Sequence, residues 1–334
     1  MPNPQTHRHP ARTMWLSLVA AVLAGGVMAF QGRVNANLAA QSQDRVGAAV
    51  VSFGSGLIVM VLITVLTPAG RRTIRRVVPA LRRGEIRWWW LCAGFIGALL
   101  VISQTITVPI VGLALFTVAL VTGQLIGGIL VDLFGVGPAG RRNPTPIRVI
   151  GALVTLAAVT WSVTPALRTA DSPWALLLPL LFPLAAGLTN PFQQALNGRQ
   201  TVAYRSAIPS TLINFIAGTF LLVVVWLIYH AITGPATGTW PPLLSGHWWW
   251  YLGGTAGCVF IAVSALVIRY LGALLTGMSM IAGQLVGAVV LDLVMPSGGG
   301  VTAYTLSGTA LALLAVVVMA IPPELFVRRS RRRP

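Results

Sequence analysis

Six carboxamides in or just past apolar stretches of this 334-residue chain stand where they could hydrogen-bond a small molecule: Gln31, Asn35, Gln124, Gln193, Asn197 and Gln284. Gln31 with Asn35, and Gln193 with Asn197, are spaced i and i+4, which puts both amides of each set on one helix face. An amide far from water is costly unless it finds a partner or faces a wet cavity. The four glutamines therefore read as hydrogen-bonding groups for a small polar or amphipathic solute, or as groups bonded to a neighbouring backbone. For Asn35 and Asn197 the competing role is a cap at a helix end. Gln104 joins the solute-binding candidates, although Ser264 stands where its counterpart would be.

Only two carboxylates, Asp132 and Asp292, approach the apolar stretches in this reading, and both fall at their ends. A proton-coupled exporter of cations needs a carboxylate at mid-depth, where proton and cargo compete for it. Neither aspartate is central, so a gating or structural role is expected, by pairing with an arginine or a helix terminus. Gly123 with Gly127, and Gly283 with Gly287, form GxxxG pairs that let neighbouring helices approach closely. Phosphate-loop, HExxH and GxSxG motifs are missing, and His7, His9, His230 and His247 make no ligand cluster. Cys92 and Cys258 lie in apolar runs and suggest neither a disulfide framework nor a metal site. No catalytic residue, metal or cofactor is expected.

The elements that carry these residues follow from composition. The chain is 56% hydrophobic and 9% charged, with mean hydropathy +0.81, whereas soluble domains carry about 25% charged residues. Crossing the hydrocarbon core takes about 20 mostly apolar residues. Ten such spans are expected, near 14–33, 46–67, 88–108, 110–134, 147–165, 174–196, 207–230, 248–268, 271–293 and 303–321. The net charge of +17 comes entirely from arginine. It suggests nucleic acid at first sight, but the arginines cluster in the links between apolar runs. Counted link by link, 20 of the 23 fall on one side. Cytoplasmic links retain basic residues, so both termini are expected in the cytoplasm. Trp15, Trp161, Trp226 and the triplets Trp88–Trp90 and Trp248–Trp250 fall near span ends, as headgroup anchors do. The arginine-rich link from Pro68 to Arg87 needs no role beyond topology.

The chain also repeats itself. At a shift of 162, Phe30, Gln31, Asn35, Phe53 and Gly56 fall on Phe192, Gln193, Asn197, Phe215 and Gly218. At a shift of 160 the tryptophan triplets align, with Gly94 on Gly254, Gly112 on Gly272, and GQLIGGILVDL on GQLVGAVVLDL. Five spans per copy is an odd number, so the second copy enters the bilayer upside down. The expected fold is an all-α integral membrane protein with ten transmembrane helices in a 5+5 inverted-topology repeat. The expected units are a cytoplasmic tail (1–13), a first repeat (14–165), an inverted second repeat (174–321) and an arginine-rich cytoplasmic tail (322–334). Inverted repeats characterise secondary transporters, whose halves exchange conformations to open a site to alternate sides.

FQGRVNANL after the first span, SFGSG in the second and GQLIGGILVDLFG in the fourth resemble the YdcZ-type branch of the drug/metabolite transporter superfamily. The resemblance covers nearly the whole chain as two fused copies of a five-helix unit, with the first motif reduced to FQQALNG in the second copy. It implies an inner-membrane protein with four helices of each half around a central cavity and the fifth and tenth more peripheral. It also implies transport of small metabolites or toxic compounds, frequently by proton exchange. The partners expected are membrane lipids and a small-molecule solute, with a second copy of the chain as a compatible homodimer partner, and no nucleic acid. The competing class is a non-transporting membrane scaffold or sensor that associates through its glycine-lined helices. Single cysteines at Trp89→Cys and Trp249→Cys, in a background without Cys92 and Cys258, are expected to react with impermeant maleimide from opposite sides of the membrane. Labelling from the same side would overturn the inversion.

Overall fold

In hydrocarbon every backbone N–H and C=O must be satisfied inside its own segment or barrel, so apolar runs of this length fold as helices. The computed structural model describes residues 11–143, 145–162, 164, 177–234, 236–242, 244, 246–294 and 302–320. It is 87% helical, with no strand among the described residues. The helices are α1 (Ala11–Ser42), α2 (Arg45–Leu66), α3 (Pro68–Ile74), α4 (Val77–Arg82), α5 (Ala93–Phe134) and α6 (Pro146–Ser162). They continue with α7 (Leu177–Tyr204), α8 (Ala207–Thr233), α9 (Gly253–Leu271), α10 (Ala273–Val294) and α11 (Ala303–Ala320). Both tryptophan triplets form short 3-10 turns, Trp88–Cys92 and Trp248–Leu252, that lead into α5 and α9.

Six segments among the described residues are long and apolar enough to cross a membrane, and three shorter apolar helices accompany them. α1 and α7 run well past the expected spans of 14–33 and 174–196. Their extensions carry Asn35, Asn197 and Gln200, which turn inward, so hydropathy alone underestimates the helix. Pro183 and Pro191 sit within α7. Each removes a backbone donor.

The expected third and fourth spans are joined in α5, a 42-residue element that would reach about 63 Å if straight. Its contacts with α7 show that it doubles back. Gly97 lies beside Gln193 and Thr107 bonds the Pro179 carbonyl, so the first arm runs antiparallel to α7. Gly123 meets Leu184, Gly127 meets Leu188 and Val136 meets Arg199, so the second arm runs parallel to it. The reversal falls between Thr107 and Leu120.

The two copies interleave. Gly187 on α7 abuts the Leu120 carbonyl of α5, and its repeat partner Gly25 on α1 abuts the Met280 carbonyl of α10. Gly123 meets the Leu184 carbonyl, as Gly283 meets that of Val22. Gly94 lies on the Asn214 carbonyl of α8, as Gly254 lies on that of Ser52 in α2. Phe53 and Phe215 meet between them, ring centroids 5.3 Å apart and planes tilted by 49°. α6 and α11 pair at one edge, where the Trp161 indole donates to Ser307 Oγ at 3.0 Å. The arginine-rich link folds as α3 and α4, docked by Arg76 donating to the Tyr204 carbonyl at 2.9 Å.

A methyl group on Gly25 or Gly187 would strike backbone, which cannot rotate away, while one on Gly32 meets nothing within 4 Å. Gly25→Ala and Gly187→Ala are each expected to destabilise by about 1–3 kcal/mol. Gly32→Ala is expected to stay near the parent in thermal unfolding of the detergent-solubilised protein.

Candidate functional site

One buried cluster gathers the amides of the second copy. Gln193 and Asn197, one turn apart on α7, both donate to Asn214 Oδ1 of α8, each at 2.9 Å. Beside them Gln194 donates to Asn190 Oδ1 at 2.7 Å. Further along α7, Gln200 donates to the Trp90 carbonyl at 2.8 Å. All six side chains are buried. Their hydrogen bonding is incomplete: Gln194 Oε1, Asn197 Oδ1, Gln200 Oε1 and Asn214 Nδ2 are buried without a protein partner. Such groups carry a penalty of about 1–3 kcal/mol each, which water or a solute relieves.

The cluster lines a cavity at the centre of the bundle. Asn190, Gln193, Gln194 and Asn197 form one wall, and Gln31 of α1 faces them. Phe53, Phe215, Phe260, Met28 and Leu100 supply an apolar remainder, and Gly97 and Gly257 let the two glutamines in. A methyl group on Gly97 would lie 2.8 Å from Gln193 Nε2, and one on Gly257 would lie 3.0 Å from Gln31 Nε2. The lining carries no ionisable side chain. The room available is about 40 Å³, enough for a few waters and for nothing larger unless helices part.

Gln31 and Gln193 thus meet across one cavity, with Asn197 beside them. Asn35 lies near the start of α9, its Oδ1 buried without a partner against Gly253. Gln124 and Gln284 are half-buried along the α5–α7 and α1–α10 seams and do not line the cavity. The side chain of Gln104 lies outside the described residues, and its counterpart Ser264 lines the cavity. Asn190, Gln194 and Asn214 were not anticipated from the sequence. Their signal was the density of amides in NPFQQALNGRQ and a lone asparagine in an otherwise apolar span. In the first copy the same positions are Met28, Gly32 and Ser52, so the polar wall belongs to one copy only.

Asp132 serves a helix terminus. Its Oδ1 accepts from Ala273 N at 2.7 Å and its Oδ2 from Leu274 N at 3.2 Å, capping the positive end of α10. Arg142 donates to the Leu271 and Tyr270 carbonyls at 2.7 and 3.0 Å, and Arg148 comes within 3.8 Å of the carboxylate. Together they stitch the end of α5 to the α9–α10 junction, where Gly272 takes φ +80. The side chain of Asp292 lies outside the described residues. Gly123, Gly127, Gly283 and Gly287 all lie in the backbone seams.

The family model described as "Putative inner membrane exporter, YdcZ" matches this chain twice, over residues 16–161 and 178–320. The chain belongs to that family, in the drug/metabolite transporter superfamily, as two fused repeats, and is a multi-pass inner-membrane protein. Among curated proteins none matches. A solved structure titled only "Crystal structure of protein" superposes with a TM-score of 0.64 at 16% identity, covering 95% of this chain and 98% of that one. That likeness concerns the fold alone.

Replacing Asp132 by alanine strips two amides of their acceptor at the head of α10. Asp132→Ala is expected to lower stability by about 1–2 kcal/mol. Asp132→Asn, which keeps one acceptor, is expected to lose less in the same thermal unfolding measurement.

Proposed function

We propose that this chain is a secondary transporter that moves a small, neutral, polar or amphipathic solute across the inner membrane by alternating access. The observation that carries the reading is the buried amide cluster with unpaired acceptors facing an apolar wall. An uncharged lining gives a permanent ion no counter-charge for its desolvation. It does offer a neutral solute hydrogen bonds at one end and apolar contact at the other, the usual make-up of a small-molecule pocket. Gln31, Gln193, Gln194 and Asn197 bind the polar end. Phe53, Phe215 and Phe260 hold the apolar one.

Membership in a family of exporters supports outward movement. The glycine seams related by the repeat support exchange between two similar conformations, since each contact has a counterpart in the other copy. In this reading ten helices cross the bilayer as two inverted units, with both termini cytoplasmic. Gln124 and Gln284 lie in the seams, where they act on closure, Asp132 holds the head of α10 in register, and Asp292 takes a gating or structural role.

The test is flux. A thermal-shift screen of neutral amides, alcohols and nucleosides on the purified protein selects a solute, which is then loaded into proteoliposomes. Gln193→Leu and Asn197→Leu are expected to cut the flux of that solute at least tenfold, the loss of about 1.4 kcal/mol or more of binding. Gln124→Leu is expected to change it less. Solute-independent stability together with no flux of any panel member would overturn the transport reading.

A further inference from the structure

We propose that Asp44 and His230 form a proton-binding latch that holds the α1–α2 turn against the end of α8, closing that end of the bundle while the imidazole carries both ring protons. Asp44 is buried at the N-cap of α2, where its Oδ1 accepts from Gly47 N at 2.6 Å. Its Oδ2 reaches across to α8, accepting from Trp226 Nε1 at 2.8 Å and lying 3.0 Å from His230 Nε2. The other ring nitrogen, His230 Nδ1, lies 2.7 Å from the Gly234 carbonyl. A carbonyl oxygen only accepts, so Nδ1 bears a proton. An ionised carboxylate also only accepts, so Nε2 bears one too. Both contacts hold together only with the imidazolium, and loss of one proton to water breaks one of them.

Asp44 does not titrate in the same range. Burial pushes its carboxyl up, but the hydrogen bonds from Trp226, Gly47 and His230 and the charge of His230 outweigh this and hold it below the ordinary value. Its contribution to stability is therefore present above the usual carboxylate range and is lost only as pH falls through the depressed value. Near neutrality the histidine is the group that responds. At this end of the bundle, the other described charged or titratable groups on the elements around the pair are Arg33 on α1, Arg45 and Tyr229, with His247 and Tyr251 at the 3-10 turn that packs on α1 and α2; Arg12 lies at the far end of α1. None is acidic, so among the described residues Asp44 is the sole counter-charge for the imidazolium there.

The repeat sharpens the assignment. At the shift of 162, Asp44, Trp226 and His230 correspond to Ser206, Thr64 and Pro68. Ser206 also caps its helix, accepting from Ile208 N at 3.2 Å, but has neither charge nor a titratable partner. Capping is common to both ends of the bundle, whereas the proton site exists at one. Under the topology proposed above this is the extracytoplasmic end, and the latch couples its opening to proton release.

Spin labels at Gln41→Cys and Ile232→Cys, with Cys92 and Cys258 replaced by serine, report the distance between the α1 and α8 ends in lipid nanodiscs. At about pH 5.5, below histidine's ordinary range, a single short-distance population is expected. Its ratio to a longer-distance population is expected to fall by up to about tenfold per pH unit through the transition. His230→Gln, whose amide loses no proton, is expected to show no pH dependence, and Asp44→Asn is expected to lose the acid-closed population. A distance distribution unchanged between about pH 5.5 and about pH 8.5 in the otherwise native protein, or the same shift in both variants, would overturn the latch. Because no flux is read, failure here leaves the transport proposal standing, and failure of transport leaves the latch testable.

Discussion

Direct contact of backbone with backbone, made at glycine, is the constraint on which the rest of the bundle depends. In hydrocarbon the helices gain little from burying apolar side chains, because lipid tails are equally apolar, so association rests on close packing and buried polar bonds. Gly25 against Met280, Gly187 against Leu120, and Gly94 and Gly254 against the Asn214 and Ser52 carbonyls bring helix axes together where no side chain intervenes. Each seam joins one copy to the other. The two copies therefore cannot be separate bodies, and the space left at their centre is narrow.

That narrowness decides what the amides do. Gln31 and Gln193 enter the centre only because glycines face them, and the second copy adds Asn190, Gln194 and Asn197. A symmetric frame thus carries an asymmetric lining, with four of its five amides on α7. The same asymmetry recurs at the end of the bundle, where Asp44 and His230 meet and their repeat counterparts are Ser206 and Pro68. Duplication fixes the backbone arrangement twice over, and divergence of a few side chains makes the two copies unlike.

The capping carboxylates illustrate how little charge the fold uses. Asp132 and Asp44 each hold a helix N-terminus, and both are buried among donors that keep them satisfied. Asp132 gathers the junction of α9 and α10 beneath the end of α5, with Arg142 on the matching carbonyls. Such contacts replace the loops and sheets that would position helices in water.

The sequence by itself determined the helical class, the membrane setting, the duplicated unit and the glycine pairs, because hydropathy, arginine placement and internal identity are properties of the order of residues. It marked Gln31 and Gln193 as related and left them 162 positions apart, toward opposite ends of the membrane. Only the tertiary structure brought them to one cavity, set Gln124 and Gln284 on the seams instead, and turned Asp132 to the head of α10. Which face of a helix looks inward depends on its neighbours. Where nearly every face is apolar, with lipid on one side and protein on the other, periodicity carries too little contrast to tell them apart. The pairing of Asp44 with His230 spans 186 positions, and two residues so far apart acquire a common chemistry only when α2 and α8 have packed.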